Sequence, residues 1–295
     1  MRIASAQYDI AWLPDWAAYV TRAQNWVQAA ADRGADLALF PEYFSMELAS
    51  IFGPEVARSL PGQLEAMQSL HQPFVELYAG LAAQHNLAIC AGSFPVQVAD
   101  GRYLNRSYLF VPGYPPQWQD KLQMTRFERE HWLIAPGEGL KVFETAFGVL
   151  GINICYDSEF PLFARAQVEA GAGLILVPSC TDALAGYWRV RIGCQARALE
   201  GQCFVAQSPT VGEADWSESV DVNVGAAAIY TPVDRGFPAD GVLAIGQLNA
   251  PQWVFADVDL LALEAVRRDG QVLNHRDWDG QSAHVGMRVE RIRLD

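Results

Sequence analysis

Five cysteines, Cys90, Cys155, Cys180, Cys194 and Cys203, are the strongest nucleophiles in the chain, and only one has neighbours that suggest a reaction. Cys155 sits in Gly-Val-Leu-Gly-Ile-Asn-Ile-Cys-Tyr-Asp-Ser-Glu-Phe-Pro, residues 148–161. The apolar half reads as a strand ending at Cys155, and Pro161 is suited to the first turn of a following helix. A side chain on such a strand-to-helix turn projects out of its sheet, and the next backbone N–H groups can face an oxyanion. A free thiol has a pKa of about 8.5 and needs a base at neutral pH. A lone cysteine is usually an inert buried side chain. Asp157, Glu159 and Pro161 are poor company for that role.

Two further residues have the types such a nucleophile needs. Glu42 follows Phe40-Pro41 at the end of an apolar strand. It is either a solvated loop residue or a partly desolvated base, its pKa raised by burial. Lys121 lies in Trp-Gln-Asp-Lys-Leu-Gln-Met, residues 118–124. An unpaired lysine is costly to bury. It therefore points to solvent by pleat alternation, or it is held by carboxylates and serves the thiol or an oxyanion.

The elements that position these residues alternate in type. Residues 2–7 form an apolar strand. Residues 15–33 have helical spacing and stop at Gly34. Residues 36–40 form a buried strand ended by Pro41. A helix is expected over 73–86 with Pro73 in its first turn, then a strand over 87–91. Residues 106–111 and 118–122 flank a Pro/Gly turn and read as a hairpin. The second half repeats the pattern, with strand 148–155, helix 161–170 and strand 173–177. Gly34-Ala-Asp-Leu-Ala-Leu-Phe-Pro-Glu42 aligns without gaps on Gly171-Ala-Gly-Leu-Ile-Leu-Val-Pro-Ser179. Two related β-α-β halves imply two sheets packed face to face with helices outside. No Ser/Gly/Pro-rich linker separates the halves, so residues 1–295 are expected to form a single domain. Residues 274–295 are expected to be a polar, irregular tail that packs on a partner subunit.

Bulk properties narrow the function classes. The 295 residues carry a formal net charge of −13 with a pI near 4.8, which disfavours nucleic acid and anionic membranes as partners. The N-terminal residues read as a first strand and not a signal peptide. An odd number of cysteines without a CxxC pair argues against a disulfide framework and against a zinc site. Free thiols fit a reducing, cytoplasmic compartment. No metal or organic cofactor is expected, and the partner is a small molecule.

Taken together, Phe40-Pro41-Glu42, Asp120-Lys121-Leu122, Ile154-Cys155-Tyr156-Asp157 with Phe160-Pro161, and Arg197-Ala198-Leu199-Glu200 resemble the nitrilase superfamily of carbon–nitrogen hydrolases. Glutamate, lysine and cysteine arrive in the family's order. Asn105-Arg-Ser-Tyr, Pro178-Ser179 and Val258-Asp259-Leu260 extend the resemblance over nearly the whole chain. It implies an α/β fold, specifically an α-β-β-α sandwich with pseudo-twofold internal symmetry, in a homodimer or higher homo-oligomer. It implies that Glu42 activates Cys155 and that Lys121, with the N–H of Tyr156, holds the oxyanion. It also implies a second glutamate near the lysine. Glu130, six residues before Pro136-Gly137, is the choice by interval, and Glu128 is the alternative. Glu159 stands where many amide-cleaving relatives have arginine; Arg189, Arg191 and Arg197 are the cations available to compensate. Tyr156-Asp157 resembles the amidase-type branches more than the nitrile hydrolases. Tyr43, Glu47, Thr181, Asp182, Tyr187, Trp188 and Arg189 flank the motif strands and are expected to line the substrate pocket.

The expected reaction is hydrolysis of a small amide or ureido compound through a cysteine thioester. An acyltransferase would use the same thioester, and a silent binding or scaffold protein would keep the fold without turnover. A papain-like peptidase fits poorly, because only His131 lies near a motif and no peptidase signature surrounds Cys155.

Overall fold

The computed structural model describes residues 1–294, apart from the side chains of residues 282 and 283. Strands are numbered in chain order. The first sheet has a parallel centre of β1 (Arg2–Asp9), β2 (Leu37–Leu39) and β3 (Ala88–Cys90). Antiparallel β15 (Gln252–Asp257) flanks β1, and antiparallel β5 (Tyr103–Phe110) flanks β3. Three short strands extend β5: β4 (Phe94–Gln97), β6 (Gln117–Asp120) and β7 (Ile134–Ala135).

The second sheet repeats this plan. Its parallel centre is β9 (Gly148–Ile152), β10 (Leu174–Ser179) and β11 (Phe204–Glu213). Antiparallel β8 (Val142–Thr145) flanks β9, and antiparallel β13 (Ala228–Tyr230) flanks β11, followed by β14 (Val242–Ile245). The short β12 (Val222–Asn223) pairs the far end of β11. Thus β1, β2 and β3 correspond to β9, β10 and β11, each triplet lying between antiparallel neighbours. The central strands β2 and β10 are the two segments whose sequences align.

Strand alternation divides the residues between layers. Ala4, Ala6, Tyr8, Ala38 and Phe40 pack with Tyr19, Ala23 and Val27 of α1 (Trp16–Ala31) and with Phe74 and Tyr78 of α3 (Leu60–His85). Ile3, Leu37, Leu39, Ala88 and Cys90 share a core with Leu176, Val205 and Ala206 of the second sheet. Val168 of α4 (Pro161–Glu169) and Val190 and Cys194 of α5 (Leu184–Gly201) close that side. The architecture is an α-β-β-α sandwich. The sheets join where Tyr8 lies opposite Thr210 and Asp9 opposite Val211. There the Ser5 hydroxyl donates to the Gln207 carbonyl at 2.7 Å, and the Ser208 hydroxyl donates to the Ala6 carbonyl at 2.8 Å.

Local chemistry explains most element ends. Asp15 caps α1 by accepting from the Ala18 N–H at 2.8 Å, and Gly34 follows the helix at a φ of 70°. Three expectations are corrected. The helix expected from Pro73 begins at Leu60 and runs through the proline, because Leu64, Met67, Phe74, Tyr78 and Leu81 form one buried stripe. That burial outweighs the single backbone hydrogen bond that proline removes. Strand β9 stops at Ile152, three residues before Cys155. Finally, the segment after Asn274 starts as a short α7 (Asn274–Asp277) and a 3-10 turn, Trp278–His284. What is corrected is the irregular backbone expected there; Arg165 of α4 donates to the His275 carbonyl and stacks on Trp278. The last residue of the expected tail, 295, lies outside the described residues.

Candidate active site

The two central strands deliver their ends to one place. Glu42 directly follows Pro41 beyond β2, and Cys180 directly follows β10. The Glu42 carboxylate accepts from the Cys180 N–H at 3.0 Å through Oε2. Its Oε1 accepts from Lys121 Nζ at 2.7 Å and from Asn105 Nδ2 at 2.8 Å. The Cys155 thiol donates to the Cys180 carbonyl at 3.6 Å, on the same residue whose N–H holds Glu42. Glu42, Lys121 and Cys155 therefore meet in one buried cluster.

Cys155 begins a 3-10 turn, Cys155–Glu159, at a φ of 49°. That left-handed conformation is unusual for a residue with a Cβ and occurs where the surroundings impose it. Two contacts impose it here. Asp157 reaches back to the Ile154 N–H at 3.3 Å and across to the Gln123 N–H at 2.7 Å. It thus ties the cysteine turn to the segment just after Lys121. On the other side Gly193 of α5 abuts the turn, and a Cβ there would lie 2.9 Å from the Ser158 carbonyl oxygen.

The second glutamate at the lysine is Glu128, which corrects the choice of Glu130. Glu128 Oε2 accepts from Lys121 Nζ at 2.6 Å, the Thr125 N–H at 2.9 Å and the Thr125 hydroxyl at 2.8 Å. Its Oε1 accepts from the Tyr43 hydroxyl at 2.7 Å. Glu130 points outward and pairs with Arg126 at 2.7 Å. Residues 128–132 form one wide helical turn, and positions two apart on such a turn do not share a face.

The two carboxyls sharing Lys121 titrate apart. Burial pushes Glu42 above the ordinary carboxylate value, against the pull of Lys121. Glu128 is also desolvated, but Lys121, Thr125 and Tyr43 together hold it below that value. The split leaves Glu42 the carboxyl that holds a proton more readily and Glu128 the more firmly ionised one. Lys121 is desolvated, yet its two carboxylates keep it charged, its pKa well above the ordinary lysine value. Burial and then the Glu42 charge raise the Cys155 thiol well above its usual value, overcoming the opposing effect of Lys121. The resting nucleophile is a protonated thiol.

A cavity of about 720 Å³ opens over this cluster. Of the residues expected in its wall, Tyr43, Thr181, Asp182 and Arg189 are present, and Tyr156, expected to face an oxyanion through its N–H, also lines it. Glu47 is not. It is fully buried on the far side of the first sheet, accepting from the Tyr8 hydroxyl at 2.5 Å and pairing with Arg22 at 3.3 Å. Tyr187 and Trp188 are also absent from the wall. Tyr187 is buried behind it, and Trp188 faces outward with Arg191 over its ring. Of the three arginines considered as partners for Glu159, Arg189 approaches it at 3.6 Å, while Arg197 pairs with Glu200. Sequence reasoning missed the roles of Asn105, Thr125 and Cys180. Cys180 was accessible from the repeat, which sets Ser179 opposite Glu42 and so puts the next backbone N–H beside that carboxylate. Among the described residues no cluster of His, Cys, Asp and Glu has the arrangement of a metal site.

The chain is similar to several known proteins. The sequence pattern of the family described as carbon-nitrogen hydrolase matches residues 2–253. The probable hydrolase YhcX of Bacillus subtilis is 34% identical over 97% of this chain, which spans only 55% of that protein's length. The ω-amidase NIT2 of Mus musculus is 24% identical, with 88% of this chain and 90% of that protein aligned. The crystal structure of Saccharomyces cerevisiae Nit3, a member of branch 10 of the nitrilase superfamily, superposes with a TM-score of 0.72 at 19% identity, covering 91% of this chain and 93% of that one. By its sequence pattern, matched over residues 2–253, the chain belongs to the carbon–nitrogen hydrolase family.

Proposed function

We propose that the protein hydrolyses a carbon–nitrogen bond of a small amide or ureido compound through a thioester on Cys155. The observation that carries this reading is the convergence of Glu42, Lys121 and Cys155 at the floor of one open cavity, with Lys121 and the Cys180 N–H on the Glu42 carboxylate and the Cys155 thiol on the Cys180 carbonyl. Glu42 takes the thiol proton as sulfur attacks the carbonyl carbon. The carbonyl electrons move to oxygen, and Lys121 and the Tyr156 N–H stabilise the oxyanion. When it collapses, the C–N bond breaks and Glu42 returns the proton to the departing nitrogen. Glu42 then deprotonates a water that attacks the thioester, and the sulfur leaves with that proton. Glu128 holds Lys121 in place throughout. The ω-amidase name of NIT2 supports an amide substrate. The Tyr156-Asp157 pair supports the amide branch over the nitrile branch.

The test pairs carboxamides with nitriles of the same side chain and measures ammonia release. The expected result is release from amides that is lost in Cys155→Ala and retained in the alanine variants of the other four cysteines. A preference for the nitrile across several pairs would overturn the amide assignment.

A further inference from the structure

Resting on the proposed hydrolysis, the unbalanced charge of the cavity wall extends the reading to the substrate. Six carboxylates and three cations line the cavity. Two of the carboxylates, Glu42 and Glu128, are engaged by Lys121 at the floor. Of the other two cations, Arg126 is 82% exposed and held by Glu130, which is outside the wall. Arg189 is 62% exposed and reaches Glu159 only at 3.6 Å, beyond hydrogen-bond length. Among the described residues Asp182, Glu218 and Asp221, which complete the wall, form no ion pair.

Glu159 is the most informative of these. Its side chain is only 22% exposed, and Arg189 is its one ionic partner among the described residues. Burial pushes its carboxyl up, so the nearby cation does not offset its desolvation. A half-buried carboxylate in a cavity wall with one loose partner is under-satisfied, and a cation entering the cavity would complete its bonding. It also stands on the same 3-10 turn as Cys155, four residues along. That is about 8 Å at the rise of such a turn. A cationic group there would sit one short alkyl linker from the carbon under attack.

We infer that the enzyme selects amides whose remote end is a positively charged amine or guanidine, with Glu159 as the counter-ion. An ω-amido acid would place its carboxylate against Glu159 and would be disfavoured.

The test uses three matched amides with a linker of roughly three to five methylenes, a length set by the ~8 Å separation. They end in an ammonium, a methyl group or a carboxylate. The expected order of kcat/KM is ammonium, then methyl, then carboxylate. Glu159→Gln should lower the ammonium-to-methyl ratio by about ten- to a hundredfold, the scale of one charge-assisted hydrogen bond. Calorimetric titration of the Cys155→Ser protein with the same compounds reads charge selection without turnover, and the ammonium compound should bind more tightly than the carboxylate. Turnover of all three amides at similar rates, or a ratio unchanged by Glu159→Gln, would overturn the inference and leave the hydrolase reading intact. Preferential ammonium binding with no ammonia release from any amide would do the reverse.

Discussion

At the scale of single residues, two carboxyls share one lysine, and the proposed chemistry gives them different tasks. Glu128 accepts four hydrogen bonds from Lys121, Thr125 and Tyr43, and these fix it as an anion. Glu128→Gln should therefore cut kcat by about 10²-fold, the scale of one orienting group. Glu130→Gln should leave it unchanged, since that side chain pairs with Arg126 on the surface. Steady-state kinetics of the two variants decides this, and the reverse ranking would show that burial misidentifies the lysine's partner. Glu42 titrates above its ordinary value of 4.5 because it is buried. It must be ionised to accept the thiol proton, so kcat/KM should fall as pH drops through a midpoint above 4.5. A profile that stays flat down to that value would remove Glu42 as the base. The sequence marked Glu42, Lys121 and Cys155 because their neighbours are distinctive. It could not separate Glu128 from Glu130, because both lie in one polar turn and only the turn's facing differs.

At the scale of elements, the site depends on strands that stop early. Strand β2 ends at Leu39 and β9 at Ile152, and the residues beyond them leave the sheets to meet each other. Asp157 joins the exit of β9 to the segment after β6 through the backbone N–H groups of Ile154, Leu122 and Gln123. Asp157→Ala should release the lysine segment from the cysteine turn and lower kcat by about 10²-fold, as expected for a displacement near 1 Å. Circular dichroism would show that the fold is kept, and an unchanged kcat would show that the tie does not position the site. The central strands were legible from apolar runs bounded by Gly and Pro. The start of α3 was not, because Pro73 looks like a first-turn residue until the buried stripe on both sides of it is seen. Glu47 was misplaced for a related reason. It is only five positions from Glu42, but the intervening turn carries it through to the opposite face of the sheet, against Tyr8 and Arg22.

At the scale of the whole molecule, duplication explains why one cavity receives residues from both halves. The aligned segments around β2 and β10 supply Glu42 and the Cys180 backbone, and the site forms where their ends converge. The repeat was visible in the sequence. The layer order followed from it, because two such halves bury their apolar faces against each other. Away from the cavity, the molecule should carry a pH signature of its own. Burial raises Glu47 from 4.5 to about 7, so the folded state holds that proton more tightly than the unfolded chain does. The stabilisation this gives is complete below pH 4.5 and is lost as pH rises toward 7. Thermal unfolding of Glu47→Gln should therefore depend less on pH across that interval than unfolding of the parent protein; equal slopes would show that Glu47 does not titrate there. The most direct test of the proposed chemistry is intact-protein mass spectrometry after rapid acid quench of the enzyme with an amide it turns over. An adduct equal in mass to the acyl group, on the peptide containing Cys155 and labile to hydroxylamine, is the predicted result. Steady release of ammonia with no such adduct, and undiminished in Cys155→Ala, would contradict it.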